Sequence, residues 1–195
     1  LHSRRNEYPQ ALAAYESVLA VHQGLGDGPN QAIDLINIGQ TLLAMGETER
    51  ALASFTAATE AGRKRADVEA GAWIVLADSL AGLERLDEAE AASERAVALY
   101  RQVGDERGLR RSLARLGDVR RRQEDYAGAI APLEEALELH RAAGDQQAET
   151  RDVSLLGMVK ESTGDVDGAL AAFRAGVVID VATNDPGSEA FDRSR

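Results

Sequence analysis

The residues best suited to bind a ligand are six arginines on one predicted helix: Arg110, Arg111, Arg115, Arg120, Arg121 and Arg122. Arg111, Arg115 and Arg122 are spaced four and seven apart, so on a helix they share one face. Guanidinium groups bind carboxylates and phosphates through paired N–H donors. The pattern predicts an anion-recognising surface for an acidic peptide, a C-terminal carboxylate or a phosphate. The alternative interpretation is a solvated face whose arginines pair with Asp118, Glu124 and neighbouring carboxylates.

The rest of the chain is acidic and lacks several classes of signal. Its 195 residues carry a formal net charge of −11, which argues against a nucleic-acid-binding surface over the whole chain. The absence of cysteine excludes disulfides and thiolate metal sites. No apolar run reaches the roughly 18 residues of a membrane helix, and no signal peptide is visible. We therefore expect a cytoplasmic protein with no membrane partner and no nucleic-acid partner through this region.

No residues combine into a catalytic or metal-binding set. His2, His22 and His140 lie far apart, and none has a histidine four residues on or a cysteine nearby. We interpret each of the three as a surface helix residue. No glycine-rich phosphate loop with its lysine is present. The expectation is a non-catalytic protein without a cofactor.

The chain repeats one unit with a period of 40 residues. A small residue stands late in the first predicted helix of each unit: Gly39, Ala77, Gly117 and Gly157. An alanine follows twelve residues after each: Ala51, Ala89, Ala129 and Ala169. An aspartate follows sixteen residues after each alanine: Asp67, Asp105, Asp145 and Asp185. One two-residue deletion, just before Trp73, interrupts the period.

These positions resemble the tetratricopeptide repeat (TPR) family, whose pattern is W-x2-L-G-x2-Y followed by A-x3-F. The first part of the pattern is found at four places: Leu35-x2-Ile38-Gly39, Trp73-x2-Leu76-Ala77, Leu113-x2-Leu116-Gly117 and Val153-x2-Leu156-Gly157. The second part is complete at two places: Ala51-x3-Phe55 and Ala169-x3-Phe173. The resemblance covers 6–185. The 40-residue unit is similar to the arrays of kinesin light chains and of bacterial signal-transduction ATPases and transcriptional regulators.

The resemblance implies an all-α fold, a right-handed α-solenoid of antiparallel helix pairs in a single array over 1–185. Its parts are a leading helix at 9–26, repeats at 30–67, 68–105, 106–145 and 146–185, and at 186–195 a polar tail or the start of a further helix. Asn30 is expected to cap the first full repeat, and Trp73 to lie in the core. Because the leading unit lacks most of its first helix, we expect a piece of a longer protein. The apolar flank near Leu12 and Leu19 would then be covered by upstream residues or by another chain.

The resemblance also implies a concave groove, lined by the first helix of each repeat, in which ligands bind. Its candidate residues are Asn37, Gln40, Asp78, Arg111, Arg115, Asp118, Arg122, Arg151 and Met158. Asn37 matches an asparagine that, in similar proteins, holds the backbone of a bound peptide. The other repeats carry Val75, Arg115 and Leu155 at that position, so a continuous row of asparagines is not expected.

The functional expectation is a protein- or peptide-binding module with an arginine-lined groove for an acidic peptide or carboxylate. We expect it to serve as the sensing or partner-recruiting arm of a larger bacterial regulatory protein. Two alternatives stay open at this point. One is a self-contained scaffold or cargo adaptor, and the other is an accessory interaction domain of an enzyme whose catalytic part lies upstream.

Overall fold

The computed structural model describes residues 7–184, and within that range the chain forms nine α-helices and no strand. The helices are α1 Tyr8–Leu25, α2 Gly28–Met45, α3 Thr48–Gly62, α4 Ala66–Gly82, α5 Leu86–Val103, α6 Glu106–Arg122, α7 Tyr126–Ala142, α8 Gln146–Ser162 and α9 Val166–Asn184. The predictions about His2 and about the tail at 186–195 concern residues outside the described range. An all-α fold of helix pairs is confirmed.

The chain divides into two compact units, Leu1–Ser112 and Leu113–Arg195, and the division falls inside α6. In unit 1, α2 packs on α3 and α4 packs on α5, and each of these pairs also contacts its neighbours along the chain. In unit 2, α8 packs on both α7 and α9. Each unit therefore builds its core by stacking consecutive helices, as repeat proteins do.

The small residue late in the first helix of each pair sits where the second helix comes closest. A Cβ built on Gly39 would lie 2.4 Å from Cε1 of the Phe55 ring, which is fully buried. In unit 2, a Cβ on Gly117 would lie 2.4 Å from Cγ of Leu133, and one on Gly157 would lie 2.5 Å from Cε1 of Phe173. Such distances are far inside van der Waals contact, so a side chain at these positions would force its neighbour to move. The small residues twelve apart along the sequence, such as Gly39 and Ala51, predict that paired helices approach closely, and this is confirmed.

The second helix pair of unit 1, α4 and α5, packs through side chains of different sizes. It carries Ala77 at the glycine position and Ser93 at the position of Phe55, and both are fully buried. The Ser93 hydroxyl donates to the carbonyl oxygen of Ala89 at 2.7 Å, so its burial leaves no unsatisfied donor. A small side chain on the second helix thus accompanies the larger alanine on the first.

Gly-Asp corners end one helix and begin the next. The four corner glycines have φ of 67°, 71°, 69° and 83°, a left-handed conformation that favours glycine: Gly26, Gly104, Gly144 and Gly164. The aspartate after each accepts a hydrogen bond from a backbone N–H in the first turn of the next helix: Asp27, Asp105, Asp145 and Asp165. The prediction of Asn30 as an N-cap is therefore wrong. Asn30 is the third residue of α2, and its backbone N–H donates to Asp27 Oδ1 at 3.3 Å.

The border at the two-residue deletion is built differently. No left-handed glycine precedes α4, whose N-cap is Arg65. Asp67 lies inside the first turn and pairs with Arg65 through Oδ2 and Nη2 at 2.5 Å. The hydrogen bond from the Arg65 guanidinium holds the pKa of the Asp67 carboxyl below its usual value.

Two apolar predictions need correction. Trp73 is half-buried rather than part of the core, and its indole N–H donates to Glu69 Oε1 at 3.2 Å. Leu12 is buried and Leu19 is half-buried, since α1 packs on α2. The exposed apolar residues of α1 lie elsewhere, at Val18, Val21 and Leu25.

Candidate functional site

A cavity of about 430 Å³ opens on unit 1. It is lined by Gln40 and Leu43 of α2, Phe55 of α3, Val75, Asp78, Ser79 and Gly82 of α4, the adjacent Leu83, and Arg111 of α6. Leu43 and Leu83 are 38% and 39% exposed, so two aliphatic side chains face the solvent here. The cavity therefore combines an apolar lining with a few polar groups, which is the usual make-up of a ligand site.

The polar groups of the cavity differ in how far they are already engaged. Arg111 Nη2 donates to Asp78 Oδ2 across two helices, and their side chains are 58% and 26% exposed. The Ser79 hydroxyl donates to the carbonyl oxygen of Val75 at 2.9 Å, within its own helix. Gln40 is exposed. The Arg111 side chain is thus largely exposed beside the apolar lining, although one of its N–H groups is held by Asp78.

The arginines of α6 within unit 2 have local partners. Arg121 Nη2 lies 2.8 Å from Asp118 Oδ1, and Arg115 Nη1 lies 3.6 Å from Asp118 Oδ2, all on one helix. Arg120 Nη1 donates to the carbonyl oxygen of Gly128 at 3.2 Å. This part of the predicted cluster is engaged in pairs within its own unit, as the solvated-face interpretation expects.

The structure brings together some of the predicted groove residues. Gln40, Asp78 and Arg111 line one cavity, while Asn37, one turn before Gln40, is half-buried and accepts from the Thr41 hydroxyl through its backbone carbonyl. In unit 2, two other predicted groove residues, Asp118 and Arg115, form an ion pair. The other predicted groove residues of unit 2 are a half-buried arginine and two exposed residues of α8: Arg122, Arg151 and Met158.

Two histidine–aspartate pairs were not predicted from the sequence, in which the histidines are interpreted as surface residues. His22 Nδ1 lies 2.5 Å from Asp34 Oδ2, and His140 Nδ1 lies 2.5 Å from Asp152 Oδ2. Asp152 is 1% exposed, and burial raises the pKa of its carboxyl. Both pairs have the same sequence separation of 12 across a Gly-Asp corner, and this recurrence was the signal available. Each pair joins the second helix of one unit of the repeat to the first helix of the next.

A second cavity, of about 510 Å³, lies on unit 2 between α7 and α9, over α8. Its apolar part includes Leu137, Val153 and Leu156. Charges of both signs stand around it, and Lys160 Nζ lies 3.9 Å from Glu134 Oε1. The mixture gives this cavity no clear preference for a charged ligand.

Residues 7–184 also lack the features of a metal site and of a membrane span. No three histidine, aspartate or glutamate side chains are grouped closely enough there to hold a metal ion. No helix in that range combines the length and apolar character needed to cross a bilayer.

A family model described as tetratricopeptide repeat matches residues 1–64 and 68–142. The chain belongs to the tetratricopeptide repeat (TPR) family. Stacked repeats of this kind present extended surfaces for binding other proteins, so the chain is a protein-interaction module. No curated protein matches the chain in sequence.

Three solved structures illustrate the likeness. BtubC (BKLC) from P. vanneervenii is 19% identical with a TM-score of 0.84, over 93% of this chain and 76% of that one. The apo form of RapI is 19% identical with a TM-score of 0.82, over 96% of this chain and 53% of RapI, so this chain spans about half of RapI. MamA is 19% identical with a TM-score of 0.72, over 93% of each chain. At these identities the likeness shows the TPR fold alone.

Proposed function

We propose that the unit 1 cavity binds a peptide segment of a protein partner, with a carboxylate next to an aliphatic side chain. The observation that carries the proposal is the position of Arg111. Its side chain is 58% exposed at a cavity whose lining includes two exposed leucines. A cation beside exposed aliphatic surface matches an acidic group beside an apolar one.

The apolar part of the cavity supplies affinity. Leu43, Val75 and Leu83 would take the aliphatic side chain out of water, and full burial of a valine- or leucine-sized side chain is worth about 1.5–3 kcal/mol. The exposed amide of Gln40 offers both donors and an acceptor to the peptide backbone.

Arg111 supplies selectivity. A guanidinium has five N–H donors in a planar fork, so it can hold a partner's carboxylate through paired hydrogen bonds. The carboxylate belongs either to an aspartate or glutamate side chain or to a C-terminus.

The wider role in this proposal is non-catalytic. The module serves as the sensing or partner-recruiting arm of a larger bacterial regulatory protein. Support comes from the TPR fold and from the 40-residue repeat, which is similar to the arrays of bacterial regulators.

An unbiased peptide array tests the binding mode. We expect wild type to select peptides with aspartate, glutamate or a free C-terminus next to leucine, isoleucine, valine or methionine. Arg111→Gln should lose this selection. Arg110→Gln is the matched control, because it makes the same charge change one residue away, outside the cavity lining.

Two results would contradict the proposal. One is an array on which wild type selects no acidic-aliphatic motif. The other is equal selection by Arg111→Gln and Arg110→Gln, provided that circular dichroism shows both variants to be as helical as wild type.

A further inference from the structure

We infer that the Asp78 carboxylate competes with acidic ligands for the Arg111 guanidinium. An acidic ligand must displace this internal carboxylate or bind Arg111 more strongly than Asp78 does. The inference rests on the proposed function of the unit 1 cavity and names the residue that sets its selectivity. Asp78 and Arg111 both line the cavity, and the Asp78 carboxylate already occupies one N–H edge of the guanidinium.

The geometry makes Asp78 an imitation of the ligand. Its Oδ2 approaches Arg111 Nη2 from α4, a different helix, as a carboxylate of a bound peptide would. The Asp78 side chain is 26% exposed, against 58% for Arg111, so Asp78 sits deeper while the arginine reaches over it. A ligand carboxylate that approaches Arg111 is therefore repelled by the negative charge of Asp78, which lies only a few ångströms away.

The aspartate at the equivalent position of unit 2 is paired differently. Asp118 and Arg151 occupy in unit 2 the positions that Asp78 and Arg111 occupy in unit 1. There, however, Asp118 pairs with Arg115 and Arg121 of its own helix. The repeated aspartate thus holds an arginine across helices at Asp78, while Asp118 holds arginines along α6.

The competitor has a direct functional consequence. A peptide that offers only a carboxylate gains little binding free energy when it replaces Asp78 at an exposed arginine, because exposed ion pairs contribute about 0–1 kcal/mol. A ligand therefore needs the aliphatic contact as well as the charge. Asp78 makes the cavity reject acidic chains that lack an apolar anchor.

The test uses a capped tetraglutamate peptide, which has charge but no aliphatic anchor. We would titrate it by NMR into wild type, Asp78→Asn and Glu88→Gln at low ionic strength. Glu88→Gln is the charge-matched control, since Glu88 pairs with the exposed Arg85 at 2.7 Å, outside the cavity lining. We expect Asp78→Asn to bind the peptide about fivefold more tightly than wild type, and Glu88→Gln to match wild type.

Every outcome decides the inference. It is overturned if Asp78→Asn binds no more tightly than Glu88→Gln, if neither binds detectably, or if the gain persists in Asp78→Asn combined with Arg111→Gln. Asp78→Ser must give the same gain, which excludes an effect peculiar to the asparagine. If Asp78→Asn binds tetraglutamate more tightly but wild type selects no acidic-aliphatic motif on the array, the proposed function is rejected and the competition by Asp78 stands. If the array shows a motif that depends on Arg111 but Asp78→Asn binds tetraglutamate no more tightly, the proposed function stands and the competition by Asp78 is rejected.

Discussion

Gly39→Ala should destabilise the protein, although the same change stabilises most helices. The added Cβ would lie 2.4, 2.7 and 2.8 Å from three ring atoms of Phe55, whose side chain is fully buried. Overpacking of this kind costs about 1–3 kcal/mol. Replacing glycine by alanine within a helix returns up to about 1 kcal/mol. The net loss in the free energy of unfolding should be about 1 kcal/mol.

Gly71→Ala is the matched control, because Gly71 lies inside α4 of the same unit and its Cβ would meet only the Tyr100 hydroxyl, at 3.8 Å. It should stabilise the protein by about 0.5–1 kcal/mol. Urea unfolding followed by circular dichroism measures both variants. Phe55→Leu should reduce the cost of Gly39→Ala in a double-mutant cycle, because it removes the ring atoms that clash. Equal stabilisation by Gly39→Ala and Gly71→Ala would refute the packing argument.

Three further predictions concern the corners and a buried pair. Asp145→Ala should cost about 1 kcal/mol in urea unfolding, because it removes an N-cap, whereas Asp67→Ala, which removes no cap, should cost less. Gly164→Ala should cost about 1 kcal/mol, because its φ is 83°, whereas Gly24→Ala should not destabilise, since its Cβ meets open space. Burial raises the pKa of the Asp152 carboxyl above its ordinary 3.8, so the folded chain holds this proton more tightly than the unfolded chain, and wild type loses stability relative to Asp152→Asn as pH rises from 3.8. Unfolding at about pH 4 and about pH 7 should show the variant gaining on wild type, and a constant difference would contradict this sign.

The sequence was sufficient for the family and the close approach of paired helices, because both depend on spacing along the chain. The small residues twelve apart, such as Gly39 and Ala51, predict that paired helices approach closely, as Gly39 and Phe55 do. The same register put Gln40, Asp78 and Arg111 in one predicted groove, and all three line one cavity. Their role in binding stays a prediction.

Side-chain pairing was beyond the sequence, because it depends on how far neighbouring helices are offset and rotated. Asp78 and Asp118 share a register position, yet one reaches an arginine on another helix and the other pairs along its own. His140 and Asp152 share their twelve-residue separation with His22 and Asp34, but this recurrence indicates a pair only once the two helices are known to pack together. Trp73 shows a further limit, since its family position favoured the core while its N–H needed a polar partner.

The size matching along the seams also constrains how such an array can be lengthened or shuffled. If α4 replaced α2, Ala77 would face Phe55 and its methyl group would meet the ring that Gly39 accommodates. The reverse exchange would set Gly39 opposite Ser93, leaving a gap in a fully buried seam. Recombination breakpoints at the ends of a pair keep matched sizes together, whereas breakpoints inside a pair separate them. The helix pair, not the single helix, is therefore the smallest piece of this chain that can be duplicated without repacking.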